Sequence, residues 1–229
     1  MRLNIFALLA SLLVTMTADA QDSYQVEKLD KAAPSSVQGE IAGSLEKTGY
    51  KILDGSGKPF VEIWLRKEIP ASAKPAGPKG PVLFPFLADG EVLGVLEFAS
   101  EGHDYRDQPI SKGTYVMRYG LQPVNGDHLG VSVFRDYTLL LPASKDRELK
   151  RPARKALEER SAEAAGTSHP AVFILGSPSG KAAKSVPSMV QDTEKNLWSV
   201  VIPLNIKPKG EPAAVVLPVQ VVVVGSAPA

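Results

Sequence analysis

Short runs of Val, Ile, Leu, Phe and Tyr recur along the chain, each cut off by Gly, Pro or Asp. Runs bounded in this way read as strands, because β-branched and aromatic side chains fit a pleated surface while Gly and Pro end it. The pattern predicts strands over 24–29, 49–53, 60–65, 92–99, 113–121, 137–141, 171–175, 197–204 and 215–224. The clearest pair flanks Asp54-Gly55-Ser56-Gly57-Lys58-Pro59, where Phe60, Glu62 and Trp64 alternate with Val61, Ile63 and Leu65. That alternation, behind an Asp-Gly pair, predicts a hairpin. One helix is expected over 146–165, with Pro152 suited to a first turn and Ala153, Ala156, Leu157 and Ala164 forming a thin apolar stripe. Between strands, IPASAKPAGPKGP at 69–81 has too little apolar surface to fold and reads as an exposed Pro-rich loop. The expected fold is mainly β: one antiparallel β-sandwich domain over 21–229, Ig-like or prealbumin-like, with one surface helix. The competing arrangement is two small β units divided near residue 150.

The chain opens differently. Met1-Arg2-Leu3-Asn4 is short and basic, Ile5 to Met16 is almost wholly apolar, and Thr17-Ala18-Asp19-Ala20 ends in small residues. This order is that of a secretory signal peptide, with cleavage expected between Ala20 and Gln21. Spanning a bilayer takes about 20 apolar residues, more than this run provides. The only other long apolar stretch, 213–225, is interrupted by Pro218 and Gln220 and reads as a buried strand. The expectation is a protein exported to the periplasm or beyond, with no membrane span after cleavage.

Composition narrows the chemistry. There is no cysteine, so lipid attachment at a cysteine, disulfides, thiolate nucleophiles and Cys-ligated metals are excluded. Stability therefore rests on the apolar core, which in a chain of this length buries about 70% of the unfolded surface. The formal net charge is +1. The densest basic stretch, KDRELKRPARKALEER at 145–160, mixes seven basic with four acidic residues, a self-paired helix face and not a nucleic-acid footprint.

Several motif matches fail on spacing. Gly176-Ser177-Pro178-Ser179-Gly180-Lys181-Ala182 has too few residues between its glycines for a phosphate-binding loop, and Ala182 replaces the magnesium-binding hydroxyl. Pro178 also stands where a nucleophile elbow needs serine. Ser44-Leu45-Glu46-Lys47 and Lys47-Thr48-Gly49 overlap on one segment, whereas penicillin-binding enzymes keep such elements far apart. Asp54-Gly55-Ser56-Gly57 lacks the later ligands of an EF-hand loop.

One constellation stays open. All three histidines sit in expected loops beside acids or polar turns: His103-Asp104, Asp127-His128 and Ser168-His169. Imidazole and carboxylate suit zinc, copper or manganese, and an open coordination position activates water for hydrolysis. No two histidines have the spacing that places them on one helix or strand face, so convergence depends on the fold. The structural reading of the same loops gives Asp104, Arg106, Asp107, Arg135 and Asp136 charge-assisted hydrogen bonds that pin loops to the sheet. A serine triad has no local signature.

The stretch Ile110-Ser111-Lys112-Gly113-Thr114-Tyr115-Val116-Met117-Arg118-Tyr119-Gly120 is a Gly-x-Tyr strand entry. With Leu121-Gln122-Pro123, Gly126-Asp127-His128-Leu129-Gly130 and Arg135-Asp136, the region 90–142 resembles uncharacterised families of exported bacterial proteins with a β-sandwich-like module. The resemblance implies a secreted β domain and no assigned activity. The leading expectation is thus a non-enzymatic exported module that binds a partner protein, a glycan or an envelope component, without a cofactor. The alternative is a His/Asp metal site, hydrolytic or not, built from loops 103–107, 127–136 and His169. A third is a scaffold tethered through 69–81.

Overall fold

The structure, a computed structural model, describes residues 23–124 and 132–226. The leader segment with its cleavage point, and Asp127 and His128, lie outside the described residues.

The chain is mainly β, as the hydrophobic pattern requires. In order, β1 (Gln25–Leu29), α1 (Gly39–Ser44), β2 (Gly49–Leu53), β3 (Pro59–Leu65), β4 (Ile69–Ala71), β5 (Val92–Phe98), β6 (Gly102–His103) and β7 (Pro109–Ile110) make up the first half. Then follow β8 (Gly113–Leu121), β9 (Asp136–Pro142), α2 (Arg154–Ala165), β10 (Val172–Gly176), β11 (Ser188–Asp192), β12 (Leu197–Pro208) and β13 (Val215–Val224). Eleven of these strands form one sheet in the order β1-β2-β3-β5-β8-β9-β10-β13-β12-β11, with β4 added beside β12; β6 and β7 pair separately. The β4–β12 pairing is parallel, and the others are antiparallel.

The sheet curls on itself, and β10 is the corner. Its first part, Val172 to Ile174, pairs with β9, and its last part, Leu175 and Gly176, pairs with β13. The wings on either side then face each other across one core. Val61, Ile63, Leu96, Phe98, Met117 and Tyr119 come from one wing, and Val200, Ile202, Leu204, Val219 and Val221 from the other. The sheet's far ends approach, since the Tyr24 ring lies 5.6 Å from Trp198 and 5.6 Å from Phe60. Edge strands brought together and capped by rings present less open backbone to other chains.

The outer face of the first wing is covered too. Val37, Ile41 and Leu45, in and around α1, pack on Trp64, Val92, Val95 and Val116. Leu157 of α2 packs on Tyr137, Leu139 and Leu141 of β9, while Leu140 faces the main core. Burial on both faces explains why VLGVLEF and DYTLLLP are nearly continuous apolar runs and not alternating ones. Gly94 of β5 sits where a Cβ would lie 2.3 Å from the Trp64 carbonyl oxygen, at the register shift between Val92 and Gly94. Only a residue without a side chain permits that approach.

The hairpin between β2 and β3 turns on Asp54. Its carboxylate accepts hydrogen bonds from the Ser56 amide at 2.9 Å, the Ser56 hydroxyl at 2.7 Å and the Lys58 amide at 2.9 Å. The Ser56 hydroxyl and the Lys58 amide hold its carboxyl below the ordinary carboxylate range. The left-handed position is Gly57 (φ +79°), not Gly55 of the Asp-Gly pair.

The sequence expectations need four corrections. The helix begins at Arg154 rather than near residue 146, because Asp146 is drawn below the surface by a buried arginine and Pro152 fixes an extended entry. It ends at Gly166, which takes the left-handed conformation at φ 62°. The Pro-rich segment is not wholly an exposed loop: Ile69–Ala71 is a strand against β12, with Ile69 fully buried. Among the described residues there are two α-helices, of which the six-residue α1 is unexpected, as is β11. Both owe their form to the wing each packs against, since neither has a strong periodic pattern of its own.

Candidate functional site

The loop joining β6 to β7 is built around Asp104, which is 1% exposed. One carboxylate oxygen accepts from the backbone amides of Arg106 (2.8 Å) and Gln108 (2.9 Å); the other accepts from the Gln108 side chain (2.8 Å) and the Val172 amide (3.0 Å). Asp104 thus ties a tight turn, with Asp107 left-handed at φ 61°, onto the first residue of β10. Gln108 extends the tie by donating to the Pro170 carbonyl oxygen at 3.1 Å. Thr167, whose hydroxyl donates to the Gln108 side-chain oxygen, brings the segment after α2 into the same cluster.

Asp136 does the same job at the start of β9. It is fully buried and accepts from the amides of Leu83 (2.7 Å) and Phe84 (3.0 Å) and from the Tyr119 hydroxyl (2.6 Å). Burial, and next the hydrogen bond to Asp136, push the Tyr119 hydroxyl far above its ordinary pKa. Arg135 donates through Nε to the Gln122 carbonyl oxygen at 2.6 Å, closing the base of the loop between β8 and β9.

These ties leave a cleft of about 650 Å³ between α2, β9 and β10. Val172, Ile174, Tyr137, Tyr105, Pro123 and Pro170 supply its apolar and aromatic lining. Its polar lining carries both signs of charge: Arg106 and Lys155 against Glu158 and Glu159, with Gln122, Ser168 and His169 beside them. At one end the Tyr137 hydroxyl accepts from Arg154 at 2.7 Å. Arg154 is in turn held by Glu158 and by Asp89 at 3.2 Å. Burial pushes the Tyr137 hydroxyl up to about 12. The Arg154 guanidinium opposes that rise without cancelling it, and the raised hydroxyl stays a neutral hydrogen-bonding wall at any physiological pH. Volumes of 300–1,000 Å³ with an apolar lining and a few fixed polar groups are those of ligand sites.

The candidate residues divide sharply. Asp104, Arg135 and Asp136 make charge-assisted hydrogen bonds that tie loops to the sheet, chiefly to backbone groups, with the Gln108 side chain and the Tyr119 hydroxyl added. Among the described residues, the Arg106 and Asp107 side chains make no ion pair. His103 is exposed on β6, and His169 is exposed on the cleft rim. Among the described residues no group of three or more His, Asp or Glu is placed to hold a metal ion. Asp127 and His128, the other members of that proposed set, are outside the described residues.

Two buried ion pairs escaped the sequence reading. Arg118 of β8 is fully buried, donating to Asp146 through Nε (2.6 Å) and Nη2 (2.8 Å) and to the carbonyl oxygens of Gly90 (2.7 Å) and Glu148 (2.6 Å). Arg66, at the end of β3, pairs with Glu91. The signal for the first lay within GTYVMRYGL, where one arginine interrupts an otherwise apolar and aromatic strand. Such a cation must find an acid, and nothing local in sequence says which.

Comparison with known protein families, curated proteins and solved structures returns no match for this chain.

Proposed function

We propose that the protein is an exported, non-enzymatic binding module whose ligand occupies the cleft between α2 and the β9–β10 surface. The curled sheet serves as the rigid sandwich-like scaffold, and the loops tied by Asp104 and Asp136 shape one edge. The observation that carries this reading is the cleft's lining: Val172, Ile174, Pro123 and Pro170 offer apolar surface, flanked by Arg106 and Lys155 and by Glu158 and Glu159. A lining of that kind suits a segment of a partner protein with an apolar anchor and charges of both signs beside it. The two tyrosines that line the cleft are largely buried, at 7% exposure for Tyr105 and 5% for Tyr137, so little of either ring is open for stacking a sugar. That favours the partner protein over the glycan. Export rests on the leader-like segment 1–20, with its basic start and Ala-Asp-Ala end.

The test uses the full chain in the cells that make it. A photoreactive phenylalanine analogue at exposed Ser168 should give a discrete protein adduct outside the cytoplasm, and the same label at Ser56 on the distant hairpin should not. Ala162→Arg, which fills the cleft from α2, should abolish the adduct without lowering the melting temperature. Adducts that persist with Ala162→Arg overturn the assignment. So does a glycan array on which the protein binds sugars in an Ala162→Arg-sensitive way. The same cells should yield a chain starting at Gln21, and a cytosolic chain retaining Met1 refutes export.

A further inference from the structure

A second cavity lies on the opposite flank of α2. With 3.6 residues per turn, Leu157, Ser161 and Ala164 point down to the sheet, while Lys155, Glu158, Glu159 and Ala162 line the cleft already described. Ala153, Ala156 and Arg160 fall on the other side, where they and the segment Lys145 to Pro152 enclose about 450 Å³.

Its charge is one-sided. Lys145, Arg147, Lys150, Arg151 and Arg160 line it against Asp146 and Glu148. Asp146 is already neutralised by Arg118, and Lys145 by Glu163 at 2.6 Å. Arg151 comes only within 4.0 Å of Glu91, which is engaged by Arg66. Among the described residues Lys150 and Arg160 make no ion pair, and no acidic residue lies in the first turn of α2. Four cations therefore share a concave wall with one uncommitted carboxylate, Glu148. Like charges held this close repel in the free protein, and a bound anion relieves the repulsion.

The wall is held in shape from beneath. Arg118 grips the segment at Asp146 and at the Glu148 carbonyl oxygen, the Leu149 amide donates to Glu40 at 2.8 Å, and the Ile41 amide donates to the Arg147 carbonyl oxygen at 3.3 Å. The cations are thus mounted on a rigid base, which lowers the ordering cost of capturing a ligand.

We propose that this cavity binds a phosphate-bearing ligand with two or more negative charges, either a free phosphorylated small molecule or the headgroup of an anionic lipid. The site is separate from the cleft and does not depend on it. Inorganic pyrophosphate is the first probe, titrated calorimetrically into the full processed chain at low ionic strength. Saturable binding of one equivalent is expected, weakening as salt rises because the cations are solvent-exposed. The variant Lys150→Gln/Arg160→Gln should lose about tenfold in affinity, because two of the four cations that face the anion are gone. Its melting temperature should match the wild type, since neither side chain supports the fold. The control Lys58→Gln/Lys195→Gln, on exposed turns elsewhere, should bind normally.

Co-sedimentation with vesicles containing cardiolipin, whose headgroup carries two phosphates, compared with phosphatidylcholine alone, separates the sources. Vesicle binding displaced by pyrophosphate identifies a headgroup site, and pyrophosphate binding without vesicle binding identifies a soluble ligand. The proposal is overturned if neither probe binds, if both double variants lose affinity equally, or if vesicle binding survives Lys150→Gln/Arg160→Gln.

Discussion

Removing the carboxylate of Asp146 should be among the most damaging single changes in the protein. Arg118 has 0% exposure and directs Nε, Nη1 and Nη2 into four hydrogen bonds, two of them to Asp146. In Asp146→Ala, the guanidinium keeps only the carbonyl oxygens of Gly90 and Glu148. Those are dipoles, not a counter-charge, and arginine has no accessible neutral form at ordinary pH. Breaking a buried pair from one side typically costs about 3–5 kcal/mol. Asp146→Ala also releases the segment that carries the cationic cavity, so its full cost belongs at the upper end of that range. For a domain of this size each kcal/mol moves Tm by about 2–4 °C, which gives a fall of about 10–20 °C. The assay is a double-mutant cycle of Asp146→Ala, Arg118→Met and the combined variant, followed by thermal and urea unfolding. The combined variant strands no charge. It should therefore be destabilised by less than the sum of the single changes, with a coupling of about 2 kcal/mol or more. An Asp146→Ala protein within about 1 kcal/mol of wild type, or strictly additive single effects, would refute the reasoning.

Further outcomes follow from other contacts. Tyr50, Tyr105, Tyr115, Tyr119 and Tyr137 all have hydroxyls raised above the ordinary tyrosine value, in each case chiefly by burial. Unfolding exposes them to ionise near pH 10, so their stabilising effect is intact below about pH 10 and is lost as pH rises through the folded values. Tm measured from pH 8 to 12 should be flat and then fall above about pH 10, with ionisation of these five, read in a Tyr24→Phe background, appearing together with unfolding; tyrosinate in that variant while it is still folded contradicts this. Asp104→Ala orphans the amides of Arg106, Gln108 and Val172 and should cost about 2–4 kcal/mol by urea denaturation. A neutral result there would remove Asp104 as the loop's anchor. Gly94→Ala forces a Cβ to 2.3 Å from a strand carbonyl and should lower Tm by several degrees; an unchanged Tm would mean β5 shifts without cost.

Much of the framework was legible in the sequence because it follows from local chemistry. The strands Gly49–Leu53, Gly113–Leu121 and Val215–Val224 fall where their apolar runs end at Gly, Asp or polar residues. The absence of cysteine settled that no disulfide or thiolate takes part. Spacing could not decide whether His103 and His169 share the alternative metal site that their residue types suggest, and the structure leaves both exposed. What needed tertiary structure depends on partners distant along the chain. No local rule says that β10 divides its edges between β9 and β13, that Ile69 joins β12, or that Asp104 reaches Val172. The helix start moved by eight residues, from 146 to Arg154, for the same reason: Arg118, on a strand, claimed Asp146 first. The cleft arises only when α2 is laid against β9 and β10, and the cationic cavity only when the segment before α2 is held beside it, because a helix has two flanks and sequence periodicity alone identifies just the buried stripe between them.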